Sequence, residues 1–164
     1  MRRLPPLYLC VVLLACNPAP PKPEAPPALV GAWRSSLQFT SGAFASIKDL
    51  EFMYVFNPGG TMTESSNYDA APPVPPAYGV WRETGKNAYT AKYEYYATKP
   101  TQPDEFQKGA GWMPAGHGVL TETISLADDG QSYTSTLNFE LFDAKDQPMK
   151  GGGTARVQAV RIGF

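Results

Sequence analysis

The sequence predicts an all-β domain, an eight-stranded antiparallel up-and-down β-barrel, on three observations. Between Leu29 and Phe164, runs of alternating apolar and polar residues rich in Tyr, Phe, Thr and Val recur eight times, the period-two pattern of strands with one dry and one wet face. Clusters of Gly, Pro, Asn and Asp separate the runs, and these residues reverse the chain. The connections also alternate in length, short after the second, fourth and sixth runs and long after the first, third and fifth. In a meander every second connection lies at the same end, so short turns close one end and long loops crowd the other, as in a cup with one mouth. Closing the strands on themselves removes exposed edges and leaves room for side chains or one small ligand.

In chain order, the first run covers 29–39 and carries Gly31 and Trp33. The second, 49–57, sets Leu50, Phe52, Tyr54 and Phe56 on one face, and Asn57-Pro58-Gly59-Gly60 turns it into the third, 61–67. The fourth, 77–84, holds Gly79 and Trp81, and Thr84-Gly85-Lys86-Asn87 reverses it into the fifth, 88–98, whose inward set is Tyr89, Ala91, Tyr93 and Tyr95. The sixth, 117–127, aligns Leu120, Glu122, Ile124 and Leu126, which makes Glu122 the one carboxylate expected to point inward. Asp128-Asp129-Gly130 leads to the seventh, 132–142, with Leu137, Phe139 and Leu141. The eighth, 151–162, faces these with Gly151, Gly153, Ala155, Val157 and Ala159. Small residues opposite large aromatics give either tight interdigitation or a cavity, and the pattern leaves both open. The connections at 40–48 and 103–109 each have room for a helical turn.

Four short motifs carry a resemblance. Val30-Gly31-Ala32-Trp33 resembles the G-x-W signature of the lipocalin and calycin barrels, and Phe56-Asn57-Pro58-Gly59-Gly60-Thr61, Gly79-Val80-Trp81-Arg82 and the ending Arg161-Ile162 are similar to small bacterial lipocalin-like proteins. The long helix that many lipocalins carry after the barrel has no counterpart in these residues, which points to the wider calycin group. The resemblance implies a barrel floor made by Gly31, Trp33, Trp81 and Arg161, with the arginine stacked on Trp33. The meander puts all of them at the tight-turn end, where Gly31 and Gly79, lacking Cβ atoms, are expected to leave room for an indole.

The first 28 residues read as an address and a stalk. Arg2 and Arg3 precede an apolar run from Leu7 to Leu14, a secretory pattern much shorter than the roughly 20 residues a membrane-spanning helix needs. Leu13-Leu14-Ala15-Cys16 resembles the lipobox of bacterial lipoproteins, which implies a signal peptide over 1–15 and lipid attachment at Cys16. Asn17 is not the aspartate that retains such proteins at the inner membrane, so the expected location is the cell envelope, lipid-anchored at the outer membrane and facing the periplasm or the cell surface. Residues 17–28 hold six prolines in twelve positions, and polyproline II at about 3.1 Å per residue makes them a spacer of up to roughly 37 Å. The expected domains are the signal (1–15), the lipidated cysteine with its Pro-rich linker (16–28) and the barrel (29–164).

Composition narrows the chemistry. The two cysteines, Cys10 and Cys16, fall in the signal and at the lipid site, so no disulfide framework, thiol redox couple or cysteine nucleophile is expected in the barrel. Without Arg2 and Arg3 the chain has 12 basic against 15 acidic residues, an unsuitable balance for a nucleic-acid partner. His117 is the single histidine and lies between Gly116 and Gly118, so a His-rich metal cluster is ruled out and no Ser-His-Asp triad is expected around it; no cofactor and no catalytic residue is assigned. The candidate ligand-binding residues are Tyr54, Tyr93, Tyr95, Glu122 and Phe139 inside the barrel and Trp112 at its mouth, where Phe44, Tyr68, Phe106, Met113 and His117 also fall. The reading is a membrane-tethered lipoprotein that binds a small apolar or amphipathic ligand. Its alternatives are a filled barrel that contacts an envelope partner and a calycin-like cyclase or isomerase that uses Glu122 with tyrosines.

Overall fold

A computed structural model describes residues 28–68, 75–102 and 111–164. The expected signal, Cys16 with nearly all of its linker, and Phe106 lie outside the described residues. The strands are β1 (Gly31–Phe39), β2 (Leu50–Phe56), β3 (Thr61–Ser66), β4 (Ala77–Gly85), β5 (Ala88–Pro100), β6 (Trp112–Leu126), β7 (Ser132–Phe142) and β8 (Pro148–Arg161). Each pairs antiparallel with the next, and β1 pairs with β8, from Trp33 opposite Arg161 to Phe39 opposite Ala155, so the sheet is a closed barrel. All three short turns sit at one end. Asn87, with φ 56°, makes the reversal between β4 and β5, a conformation that asparagine tolerates better than most residues.

The interior at that end is solid. Trp33 is fully buried, donates from Nε1 to the Leu29 carbonyl at 2.9 Å and meets Tyr133 edge-on with ring centroids 5.0 Å apart. Leu29, itself 0 % exposed, plugs the floor from below. Phe56 joins Tyr133 to Trp81 at 6.5 and 6.0 Å, and Trp81 continues to Tyr89 at 5.8 Å. The Trp81 indole N–H donates to the carbonyls of Asn57 and Thr61 and so grips the β2–β3 turn. Arg161 ties the floor together. Its guanidinium lies 4.2 Å from the Trp33 ring centroid and donates to the carbonyls of Val30 and Gly130, each at 2.8 Å, and of Ala28.

Two expectations need correction, on the floor glycines and on the β5–β6 connection. The space left by the missing Cβ atoms does not receive an indole: a Cβ on Gly31 would lie 2.6 Å from the Arg161 guanidinium, and one on Gly79 would lie 2.1 Å from the Lys92 carbonyl of β5. The β5–β6 connection, expected between 98 and 117, is shorter, because β5 runs to Pro100 and β6 starts at Trp112. Gly116 and Gly118 are strand residues at points of close approach, where a Cβ would strike the Phe142 carbonyl or the Tyr95 ring, and a bulge between Ala97 and Thr98 absorbs the irregularity. At the mouth end the β7–β8 connection is also tight, Asp143 to Gln147, because the Asp143 carboxylate accepts from the backbone N–H groups of Lys145 and Gln147 at 2.8 and 2.9 Å.

The β1–β2 connection folds inward over the mouth. It contains single turn bonds, Ala45 N–H to Gly42 at 3.3 Å and Ile47 N–H to Phe44 at 3.0 Å. Phe44 packs at 5.4 Å from Phe39 and 5.7 Å from Phe139. Gly42 permits this descent, since a Cβ there would lie 2.0 Å from the Gly152 carbonyl of β8.

Arg161→Lys keeps the charge but loses the fork that reaches three carbonyls. Given the usual worth of cation–π contacts and of charged hydrogen bonds, it is expected to lower the unfolding free energy by about 1–3 kcal/mol in urea titration; a change within about 0.5 kcal/mol, the usual range of a neutral surface substitution, would show that the floor does not depend on it.

Candidate functional site

Above the floor the interior changes character twice, first to a polar layer and then to a cavity. Alternation along β6 turns Glu122 inward between Leu120 and Ile124, and it is 0 % exposed. Its carboxyl oxygens are occupied: the Tyr93 hydroxyl donates to Oε2 at 3.0 Å and the Ser135 hydroxyl donates to Oε1. Tyr54 completes the layer, with its hydroxyl 3.4 Å from that of Tyr93. The Tyr133 hydroxyl is buried beside them with no hydrogen-bond partner among the described residues.

A second carboxylate shares this interior, contrary to the expectation that Glu122 would be the only one. Glu64 on β3 is 7 % exposed, sits opposite Tyr54 of β2 and Ala77 of β4, and points inward from the face it shares with Met62. Its Oε1 atom is buried without a hydrogen-bond partner among the described residues. β3 reads Thr-Met-Thr-Glu-Ser-Ser, so Met62 alone marks the dry face. That single period-two neighbour was the available signal for Glu64.

Glu64 lines a cavity of about 230 Å³ that opens at the long-loop end. Its walls are largely aromatic, with Phe39, Phe52, Tyr95 and Phe139 from the strands and Phe44 and Tyr68 from the connections. Tyr95 and Phe139 stack at 6.2 Å along one wall, and Tyr68 meets Phe44 edge-on at 5.6 Å. The interior is therefore half filled: rings occupy the tight-turn end, and the other end is open.

The comparisons add no relative. The chain matches no protein-family model, no curated protein and no solved structure. The closed eight-stranded barrel is consistent with a lipocalin-like domain, and the function has to be read from the site alone.

The structure divides the sequence-named candidates into three groups. Tyr95 and Phe139 line the cavity together with Phe44 and Tyr68. Tyr54, Tyr93 and Glu122 form the polar layer without lining the cavity. Trp112 is 43 % exposed, pairs with Pro100 on the β5–β6 hairpin and does not line the cavity. Met113 and His117 are likewise on β6, where the imidazole stacks on Phe142 at 5.0 Å.

Electrostatics separates the two carboxyls. Burial, and after it the nearby Glu122, push the Glu64 carboxyl up to about 8. Burial raises Glu122 as well, while hydrogen bonds from Ser135, Tyr93 and Tyr54 hold it back. Burial and then Glu64 push Tyr95 up to about 12, and burial followed by Glu122 keeps Tyr54, Tyr93 and Tyr133 neutral hydroxyls. At neutral pH Glu64 is thus an uncharged acid at the wall of an apolar cavity, able to donate one hydrogen bond or to ionise for a suitable partner.

The raised value has a definite sign for stability. A carboxyl that holds its proton more tightly when folded stabilises the fold fully below its ordinary value of 4.5, and that contribution is lost as pH rises through about 8. The wild-type urea midpoint should fall between pH 5 and pH 8.5, and Glu64→Gln should flatten the fall and be the more stable form at the alkaline end by on the order of 2–4 kcal/mol. Parallel pH profiles of the two proteins would contradict the assignment.

Proposed function

We propose that this protein is an extracytoplasmic lipoprotein that binds a small apolar or amphipathic molecule in the open half of its barrel. The supporting observation is the division of the interior: a floor packed solid with rings beneath an aromatic cavity of about 230 Å³ that carries one unpartnered carboxyl oxygen. An engineered apolar cavity of about 150 Å³ suffices to take up benzene. A single ring or short chain therefore fits, and a large lipid does not.

The tether reading rests on residues 1–28. β1 begins at the tight-turn end, so a linker ahead of it enters from the floor side, and a lipid on Cys16 would hold the mouth away from the membrane. Two acyl chains give stable anchoring where one gives only marginal binding.

One variant tests both halves. Exchanging residues 1–16 for an ordinary cleavable export signal without a lipobox is expected to move the protein from the membrane pellet to the soluble fraction and to permit purification without detergent. Native mass spectrometry of that material should then show a small adduct, or a stoichiometric complex with added 2-phenylethanol. An unchanged membrane association would overturn the tether; failure of every small apolar probe to bind would overturn the ligand.

A further inference from the structure

We propose that the cavity is a site for a small organic ammonium ion, a primary amine on a ring or short alkyl chain, whose cation sits on the free carboxyl oxygen of Glu64 while its apolar body lies among the rings. This rests on the ligand-binding reading above and narrows it to one chemical class.

The two inward carboxyls carry the argument by contrast. Glu122 has donors supplied by its own barrel, Tyr93 and Ser135, whereas Glu64 has a buried Oε1 with none and a place in the cavity wall. A buried acceptor left unpaired is costly, and a donor on the ligand relieves it. Among the described residues lining the cavity there is no Lys, Arg or His, so a ligand carboxylate finds no cation among them and meets another acid. An ammonium gains the carboxylate and also the quadrupole of surrounding rings such as Phe52, Tyr95 and Phe139. The volume, about 230 Å³, is of the order of the roughly 150 Å³ apolar cavity that takes up benzene, which limits the body of the amine to one ring or a short chain.

The titratable groups facing Glu64 are Tyr54 on β2, Tyr93 and Tyr95 on β5, and Glu122 on β6. Tyr68 and Tyr96 line the same cavity, and Tyr133 adjoins Glu122. The buried inward residues of β1, β4 and β8, including Ser35, Ala77, Trp81 and Val157, do not titrate. None of these groups is basic, so the amine itself must supply the positive charge. Because the empty site holds a proton on Glu64 up to about pH 8, binding a pre-protonated amine releases that proton: carboxyl and ammonium become carboxylate, ammonium and a free proton.

Titration of the whole mature chain from Asn17 onward, exported without the lipid, with three isosteres, 2-phenylethylamine, 2-phenylethanol and 3-phenylpropionate, tests this. At pH 8 the amine should bind roughly 10- to 100-fold more tightly than the alcohol, the worth of a charged hydrogen bond, and the carboxylate should bind least. Amine affinity should rise about tenfold per pH unit from pH 6 to 8 and then level until the amine deprotonates near ~10.4, with proton release seen as a buffer-dependent heat. Glu64→Gln should erase the amine preference and the pH slope while the alcohol still binds; the wild-type comparisons stand even if that variant fails to fold. Equal affinity for amine and alcohol, or preference for the carboxylate, overturns the ammonium site and leaves the ligand-binding reading intact, whereas no response to any of the three overturns both. Retention on phosphatidylethanolamine vesicles without a response to soluble amine overturns the small free ligand in favour of a lipid headgroup.

Discussion

Closure of the sheet is the constraint on which the rest of the molecule depends, and Arg161 is where it is fastened. β8 meets β1 in register, and at the end of that seam one guanidinium covers Trp33 and binds carbonyls from the segment before β1, from β1's entrance and from the β6–β7 turn. Guanidinium suits this role because its planar fork reaches several acceptors at once and stacks on an indole without losing its charge. Once the ends are joined, every second residue on each strand is committed to the inside. An open sheet of the same sequence would expose Glu64 and Glu122 to water, and neither would have an unusual affinity for its proton.

The interior this creates is graded along the barrel axis. Rings from β1, β2, β4, β5 and β7 fill the tight-turn end, where Trp33, Phe56, Trp81, Tyr89 and Tyr133 contact one another in a chain. Hydroxyls and carboxyls occupy the middle, and the aromatic cavity takes the mouth. The gradation has a physical logic, since a polar layer is tolerable in a core when its members satisfy one another. Glu122 with Tyr93 and Ser135 meets that condition. Glu64, one step nearer the mouth, does not, and the departure from full satisfaction occurs at the wall of the cavity.

Much of this was legible in the alternation. Phe52, Tyr54 and Phe56 on β2 and Leu120, Glu122 and Ile124 on β6 fall on the face that period two assigns them, because each strand carries several apolar residues that agree. β3 carries only Met62 as a buried apolar guide, and Glu64 was missed for that reason. Glycine was the other source of error. At Gly116, expected in the β5–β6 connection, it marks close packing between neighbouring strands, and at Gly42 it lets a connection descend over the mouth; a sequence shows the missing Cβ but not what fills its place. The cavity itself could not be read, because its volume is set by how Phe44, Tyr95 and Phe139 lean on one another across three separate elements.

The central claim is that this barrel is packed at one end and hollow at the other. Diffraction from crystals pressurised with xenon tests it most directly, since xenon enters dry apolar cavities and is excluded from close-packed cores. The account predicts xenon density between Phe52, Phe139 and Glu64 and none among Trp33, Phe56 and Tyr133. A mouth without xenon, with Phe44 and Phe139 collapsed into the space, would contradict it.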